Sequence, residues 1–306
     1  MNHRLVNSLR SVAALLAASV TASVAQADCH GLLLEAHRGA YTAPENSFSA
    51  VQQAMAGEWD GAEIDIQPLN DGQWVLHHDD RLGRTTSLQG HTTTQLSPDA
   101  WREVRLKGRD GRLTSEPPPF LADLVKGIPE RSGKALNIEI KQFNPNCASV
   151  QGVADAMQRG WPQGQWFFTA IDRRALTCAR RGDPHGYLAQ IVLDPQALAR
   201  ESKGRLRSLE SFVKPPTLDR NWLLRLKQEV GEPVGVHVDV NTLEANPHLL
   251  ADALSLGMPV LTYHLGPDRE HVAALRREAR QSGLLPSGAI INGPAQAFCS
   301  MLEAQQ

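Results

Sequence analysis

The sequence predicts an α/β chain, and within that class a (β/α)8 TIM barrel. Two observations carry the prediction. Short apolar runs alternate with helix-like stretches from residue 31 to residue 291, the pattern of strands joined by crossover helices in a parallel sheet. Eight such apolar runs occur, the number that closes a barrel. A third observation bears on the alternative, an open doubly wound sheet. No G-x-G-x-x-G follows the first strand, which counts against the dinucleotide-binding version of that fold.

Residues 1–27 are set apart from the fold. Arg4 and Arg10 precede an apolar run at 12–24, and Ala25-Gln26-Ala27 ends it with small residues where a signal peptidase reads. This is the layout of a secretory signal peptide, cleaved after Ala27. The run is shorter than the ~20 residues that span a bilayer, so no stable membrane anchor is expected after cleavage. The barrel is assigned to 28–306, and the protein is expected to be exported, either periplasmic or secreted.

The first strand falls at 31–36, where GLLLEA is apolar. A helix at 47–57 follows, with Asn46 as candidate N-cap and Gly57 at its end. The second strand, 62–67, contains Glu63-Ile64-Asp65. Leu69-Asn70-Asp71-Gly72-Gln73 then leads into Trp74-Val75-Leu76. Asp and Gly tolerate positive φ, so this Asn-Asp-Gly predicts a hairpin that folds His77, His78 and Asp79 back over the strand's exit. Residues 84–119 are polar and rich in Gly and Pro. They are expected to form a small insertion between barrel strands two and three, with a short helix at 98–104. A helix at 119–127 precedes the third strand, 135–140. Helix 147–160, strand 166–171, helix 172–181 and strand 187–193 come next. Helix 218–230, strand 234–240, helix 247–257, strand 259–263, helix 267–282 and strand 289–291 complete the order. Several of these helices stop at Gly, as helices tend to.

Lys and Arg number 31 against 33 Asp and Glu, and they are scattered. A nucleic-acid partner is therefore not expected, because it needs a clustered basic face. There are four cysteines, Cys29, Cys147, Cys178 and Cys299, and an even count in an exported protein points to disulfides. Three pairings are open. If the fold brings the chain ends together, Cys29 pairs with Cys299 and Cys147 with Cys178; four buried thiols are the other reading. No C-x-x-C spacing occurs, which argues against a zinc cluster or a redox motif. The sequence carries no signal of oligomeric state.

Alternate residues of a strand share a face, so Glu63 and Asp65 point the same way. Asn137, Glu139 and Lys141 do so on the third strand. Carboxylates side by side in a barrel are tolerable only with a proton or a cation between them. A solvated strand face would explain Glu-x-Asp alone. Glu139, amid apolar neighbours on the next strand, turns the reading toward an oxygen-ligand site for one divalent cation, Ca²⁺ or Mg²⁺. His37 ends the first strand and His78 or His77 returns above the second, at the C-terminal mouth where barrel active sites lie. A cation flanked by imidazoles suits phosphodiester cleavage. Arg38 would share in neutralising phosphoryl charge, while one His takes a proton and the other gives one. His237 and Asp239 share a face of the sixth strand, as pocket lining or as an internal pair.

HRG at 37–39, PEN at 44–46, EID at 63–65, DG at 71–72, HD at 78–79, RTT at 84–86 and IEIK at 138–141 occur in one order. Together they resemble the glycerophosphodiester phosphodiesterase family, within the phospholipase-C-like phosphodiesterases. GMPVLTYHL and GAIINGP are similar to the family's last two strands. The resemblance implies a (β/α)8 barrel that hydrolyses small glycerophosphodiesters to glycerol 3-phosphate and an alcohol. It implies Glu63, Asp65 and Glu139 as metal ligands, His37 and His78 as the acid/base pair, and Arg38 and Lys141 as phosphate contacts. It also selects His78 over His77.

The chain departs from the family pattern with Ser47 for Thr, Tyr263-His264 for Trp-Thr, and Asn292-Gly293 for Thr-Asp. The later departures are expected to bear on the leaving group and to leave the chemistry intact. Two other readings stay open: a related phosphodiesterase acting on another head group, and an exported binding protein without turnover. Retention of all five acidic and imidazole residues counts against the second.

Overall fold

Strands β1 (Leu33–Ala36), β2 (Gly61–Pro68), β3 (Trp74–Leu76), β4 (Ala135–Ile140), β5 (Gln165–Ala170), β6 (Leu188–Val192), β7 (Val234–Asp239), β8 (Val260–Tyr263) and β9 (Gly288–Ile291) form one sheet. Its order is β1-β9-β8-β7-β6-β5-β4-β2-β3, with β1 also pairing β2. Only the β2–β3 hairpin is antiparallel. The other eight strands run parallel and close on themselves through β1 and β2. The expected barrel is therefore present, and the open sheet, which would leave two edges, is excluded. The computed structural model describes residues 29–129, 133–202 and 206–304. The signal peptide expected at 1–27 lies outside them. No helix among the described residues is long and apolar enough to cross a membrane.

The helices are α1 (Phe48–Ala56), α2 (Pro98–Arg102), α3 (Leu121–Gly127), α4 (Cys147–Gly160), α5 (Arg173–Gly182), α6 (Pro195–Glu201), α7 (Arg220–Val230), α8 (Val240–Ala245), α9 (Leu249–Ser255), α10 (Asp268–Ser282) and α11 (Ala295–Glu303). Strand residues of one parity, such as Ile64, Ile66, Ile138, Phe168 and Val236, join helix residues such as Val51, Leu124, Val153, Leu223 and Leu275 in the main core. The opposite parity fills the barrel interior, and several of its members are polar: Glu35, Glu63, Asp65, Asn137, Glu139, Thr169 and His237 are all buried. The core thus lies between sheet and helices, and the interior is left for chemistry.

Three helices, α6, α8 and α11, are additional to those expected. One carries a local signal. Asp194 accepts from Gln196 N and Ala197 N ahead of Pro195 at the helix start, a capped beginning that reads directly from Asp-Pro. The sixth strand was expected to reach residue 240. It ends at Asp239, because that carboxylate accepts from Asn241 N and caps α8. Asn46 was expected to cap α1, but Ser47 does so, accepting from Ala50 N.

Between β3 and α3 the chain makes an excursion holding a 3-10 turn (Thr93–Gln95) and α2. Leu69, Val75, Leu82, Leu96, Trp101, Val104 and Phe120 give it a small core of its own. Disulfides join Cys29 to Cys299 and Cys147 to Cys178, with Cα–Cα distances of 5.1 and 4.8 Å. The first spans the barrel seam, since β1 and β9 are neighbours.

Candidate active site

Register brings the acidic residues together. Asp65 lies opposite Glu139 and Glu63 opposite Asn137 across the β2–β4 ladder. Carboxylate oxygens of Glu63, Asp65 and Glu139 all lie within 4.8 Å of one another. All three residues are buried, and Asp65 Oδ1 accepts no hydrogen bond. Burial, with the negative charges of Asp65 and Glu139, holds the Glu63 carboxyl well above the usual range. Burial also raises Glu139, against the pull of Lys141. Asp65 is buried too, yet His78, Lys141 and Arg38 keep it ionised far below the ordinary range. An orphaned buried oxygen and mutual repulsion are what a hard divalent cation relieves, so the donor set fits Ca²⁺ or Mg²⁺.

The β1–α1 loop supplies His37 and Arg38. Arg38 and Gly39 take φ of +58° and +81°, a sharp turn that aims the Arg38 N–H at Glu63 Oε2, 2.8 Å away. A Cβ on Gly39 would lie 2.7 Å from Ala50, so only glycine fits against α1. Asn46, with φ of +56°, donates to Asp65 Oδ2 at 2.7 Å and accepts from Asp65 N at 3.0 Å. It braces a carboxylate of the acidic cluster. The Arg38 guanidinium reaches Glu45 at 3.0 Å and Asp65 at 3.5 Å. Lys141 Nζ lies 2.9 Å from Glu139 Oε1 and 3.6 Å from Asp65 Oδ1.

His37, Arg38, Glu63, His78, Glu139 and Lys141 line one cavity at the barrel mouth. Asp65 sits just beneath it. His37 Nδ1 lies 2.7 Å from Asn292 Oδ1, and His78 Nδ1 lies 2.8 Å from Asp79 Oδ1. Burial, reinforced by the Arg38 charge, pushes the His37 imidazole down to about 3. His77 instead packs edge-on to Trp101 at 6.3 Å between ring centroids and is 3% exposed, so of the two histidines only His78 lines the cavity. His237 also lines the cavity, with neither ring nitrogen bonded. Asp239 does not pair with it; it caps α8 and lies 3.7 Å from His264 Nδ1.

Several residues of the site carry no assignment from sequence. Arg84 bridges Glu45 and Asp79, with Nη1 2.9 Å from Glu45 Oε2 and Nε 2.8 Å from Asp79 Oδ2. One charged chain therefore runs from Arg38 through Glu45, Arg84 and Asp79 to His78. Its members sit in PEN, HD and RTT, which are the available signals. Gln67 Nε2 donates to the carbonyls of His77, His78 and Asp79 and pins that turn. Asn292 was expected to bear only on the leaving group; it touches His37 directly. Ile171, Ile191, Leu193, Leu265 and Ile290 add apolar wall to the same cavity.

The model of the glycerophosphoryl diester phosphodiesterase family matches residues 37–284. A glycerophosphodiester phosphodiesterase of Bacillus altitudinis is 32% identical over 169 residues, 52% of this chain and 66% of that protein. Glycerophosphodiester phosphodiesterase 1 of Mus musculus is 36% identical over 168 residues, 48% of this chain and 51% of that one. The matched region is thus less than two thirds of each curated relative. Among solved structures, a phosphodiesterase of Oleispira antarctica in complex with the product sn-glycerol-3-phosphate has a TM-score of 0.66 at 22% identity, covering 88% of this chain and 96% of that one. The glycerophosphodiester phosphodiesterase of Agrobacterium tumefaciens has a TM-score of 0.60 at 18% identity, covering 89% and 99%. At these identities the structural likeness is one of fold.

Proposed function

The chain belongs to the glycerophosphoryl diester phosphodiesterase family, and on that premise we propose that it hydrolyses glycerophosphodiesters to glycerol 3-phosphate and an alcohol. The observation that carries the reading is the sharing of one rim by two histidines, a buried three-carboxylate cluster and two cations. Glu63, Asp65 and Glu139 would hold one divalent cation, which supplies positive charge to the phosphoryl oxygens. Arg38 and Lys141 add charge from the chain itself. His37 is neutral and donates through Nδ1 to Asn292, so Nε2 has the lone pair that accepts the nucleophile's proton. His78 lies 2.8 Å from Asp79 Oδ1 through Nδ1, a contact that orients its Nε2 toward the cavity, and is assigned the acid that protonates the leaving oxygen. The nucleophile is water or glycerol's own 2-hydroxyl, the latter giving a cyclic phosphate that water opens. We assign the alcohol portion to the apolar wall.

Two disulfides support export, because they persist in oxidising compartments. Osmotic-shock fractionation of a bacterial host, with mass spectrometry of the mature N-terminus, tests that part.

The activity is tested by giving the purified protein glycerophosphocholine, glycerophosphoethanolamine and glycerophosphoglycerol, with glycerol 3-phosphate read by a dehydrogenase. We expect release that chelator abolishes and that Ca²⁺ or Mg²⁺ restores. His37→Ala should lower kcat by ~10²–10⁴. No glycerol 3-phosphate from any of the three sinks the substrate assignment. A rate indifferent to chelator, or His37→Ala at wild-type speed, sinks the mechanism and spares the substrate class.

A further inference from the structure

We propose that the chain binds a second divalent cation, a zinc-type ion, at the outer rim of the barrel through Glu201, His264 and Glu270. Glu201 is the last residue of α6, His264 follows β8, and Glu270 lies in the first turn of α10. One ligand atom from each lies within 4.8 Å of the others. The three come from separate parts of the sequence, and none belongs to the acidic cluster in the barrel.

Two further observations point to a ligand. His264 is only 6% exposed, and Asp239 is fully buried. His264 Nδ1 and Asp239 Oδ2 face each other at 3.7 Å, and neither has a hydrogen-bond partner. A buried carboxylate behind Nδ1 is the arrangement that orients a histidine whose Nε2 takes a metal. Nε2 points toward Glu270 Oε2, 3.5 Å away. The second observation is Gly266. A Cβ there would fall 2.8 Å from His264 Nε2 and 3.3 Å from Glu201 Oε2. Glycine keeps open the space in front of both ligand atoms.

Ligand chemistry selects the ion. The barrel cluster offers oxygen alone, which suits Ca²⁺ and Mg²⁺. An imidazole with two carboxylates suits Zn²⁺ and its first-row neighbours, with water completing the shell because Glu270 is half exposed. The site adjoins the catalytic one: Asn292 Nδ2 donates to the His264 carbonyl at 3.4 Å, and Asn292 Oδ1 meets His37. A bound ion therefore clamps α6 to α10 beside the residue that orients His37.

The test is metal binding by the full chain in excess Mg²⁺, which occupies the barrel carboxylates. Zn²⁺ is titrated against a chromophoric chelator, and Co²⁺ is used as a visible-absorption probe. One Zn²⁺ per chain is expected to survive the Mg²⁺, and Co²⁺ should show d–d bands of a low-coordinate nitrogen–oxygen site. Glu201→Gln and Glu270→Gln should each weaken Zn²⁺ binding by at least about tenfold, whereas Glu63→Gln should not. Circular dichroism confirms folding. Glu270 is half exposed, so Glu270→Gln remains a folded probe of the site if the other variants misfold. No retained Zn²⁺, or equal affinity in wild type and both glutamine variants, overturns the proposal.

Discussion

His37 depends on one acceptor. Its Nδ1 lies 2.7 Å from Asn292 Oδ1, and the Asn292 amide nitrogen is occupied by the His264 carbonyl at 3.4 Å, so the amide orientation and the imidazole tautomer are set together. Removing that bond should cost about 1 kcal/mol, which is roughly a fivefold fall in kcat for Asn292→Ala with KM little changed. Asn292→Asp should recover the orientation and add a negative charge. That charge raises the imidazole pKa, so the acid limb of the kcat/KM profile should move to higher pH. A pH–rate series on the three proteins checks both statements; wild-type kcat in Asn292→Ala at every pH would show that the ring is held otherwise. Sequence marks His37 and misses Asn292 because the two are 255 positions apart and meet only once β9 lies beside β1. Asn46 misleads for the opposite reason. An Asn just before a helix looks like a cap, and only the structure shows its side chain turned to Asp65 while Ser47 caps.

At the scale of elements, the loop between β1 and α1 is the tightest-built part of the site. Gly39 has φ of +81°, and an added Cβ would meet the Ala50 backbone carbon and Cβ at 2.7 Å. Neither atom is the flexible end of a side chain, so the loop must move, and with it the Arg38 N–H that meets Glu63. Gly72, in the β2–β3 turn, has φ of +87° and nothing within 4 Å of a Cβ. Both glycines incur the left-handed penalty of ~1–2 kcal/mol when replaced by alanine, but only Gly39 adds overpacking of ~1–3 kcal/mol. Gly39→Ala should therefore lose roughly 2–5 kcal/mol and most activity, and Gly72→Ala about 1–2 kcal/mol with activity kept. Equal urea midpoints for the two would refute the steric account. The hairpin at Gly72 is legible because Asn-Asp-Gly is local chemistry. Helix α8 is not, because Val234 to Val240 is one apolar run apart from His237 and Asp239, and nothing in its periodicity says that Asp239 will turn from strand residue to cap.

For the whole molecule, eight alternations suffice to read a barrel, since strand count and closure are linked. The division of its interior is only half legible. Motif residues crowd β1, β2 and β4, whereas the far half contributes single buried groups with no local pattern, such as His237, and His271 is buried on α10 behind β8. Those two histidines, with His37, bear on the behaviour of the fold in acid. His271 has Nε2 2.9 Å from Thr262 Oγ1, His237 has no bonded ring nitrogen, and burial pushes each down to about 3. An unfolded histidine titrates near 6.5. Above that pH both states are neutral and the stability is intact; as pH falls from 6.5 toward 3 the unfolded chain takes up two protons that the native one refuses. Each costs up to about 1.4 kcal/mol per pH unit. Glu35 acts in the opposite sense. Burial, only partly offset by the Asn137 hydrogen bond, raises it to about 7, so its contribution is full below the unfolded carboxyl value and is lost as pH rises through 7. Between about 4.5 and 6.5 these histidines and His37, also near 3, lose stability on acidification, while Glu35 and the raised Glu63 and Glu139 oppose them. Below about 4.5 Glu35 drops out. Glu45, held near 2 by Arg84 and Arg38 despite its burial, then adds to the loss. Urea midpoints at pH 7.5, 5.5 and 4.0, with chelator present throughout, read that balance in wild type and in Glu35→Gln. Glu35→Gln removes one opposing group, so its midpoint should be higher than wild type above pH 7 and should lose that advantage between 7 and 5. A Glu35→Gln curve parallel to wild type would mean that Glu35 is not a group that titrates with folding.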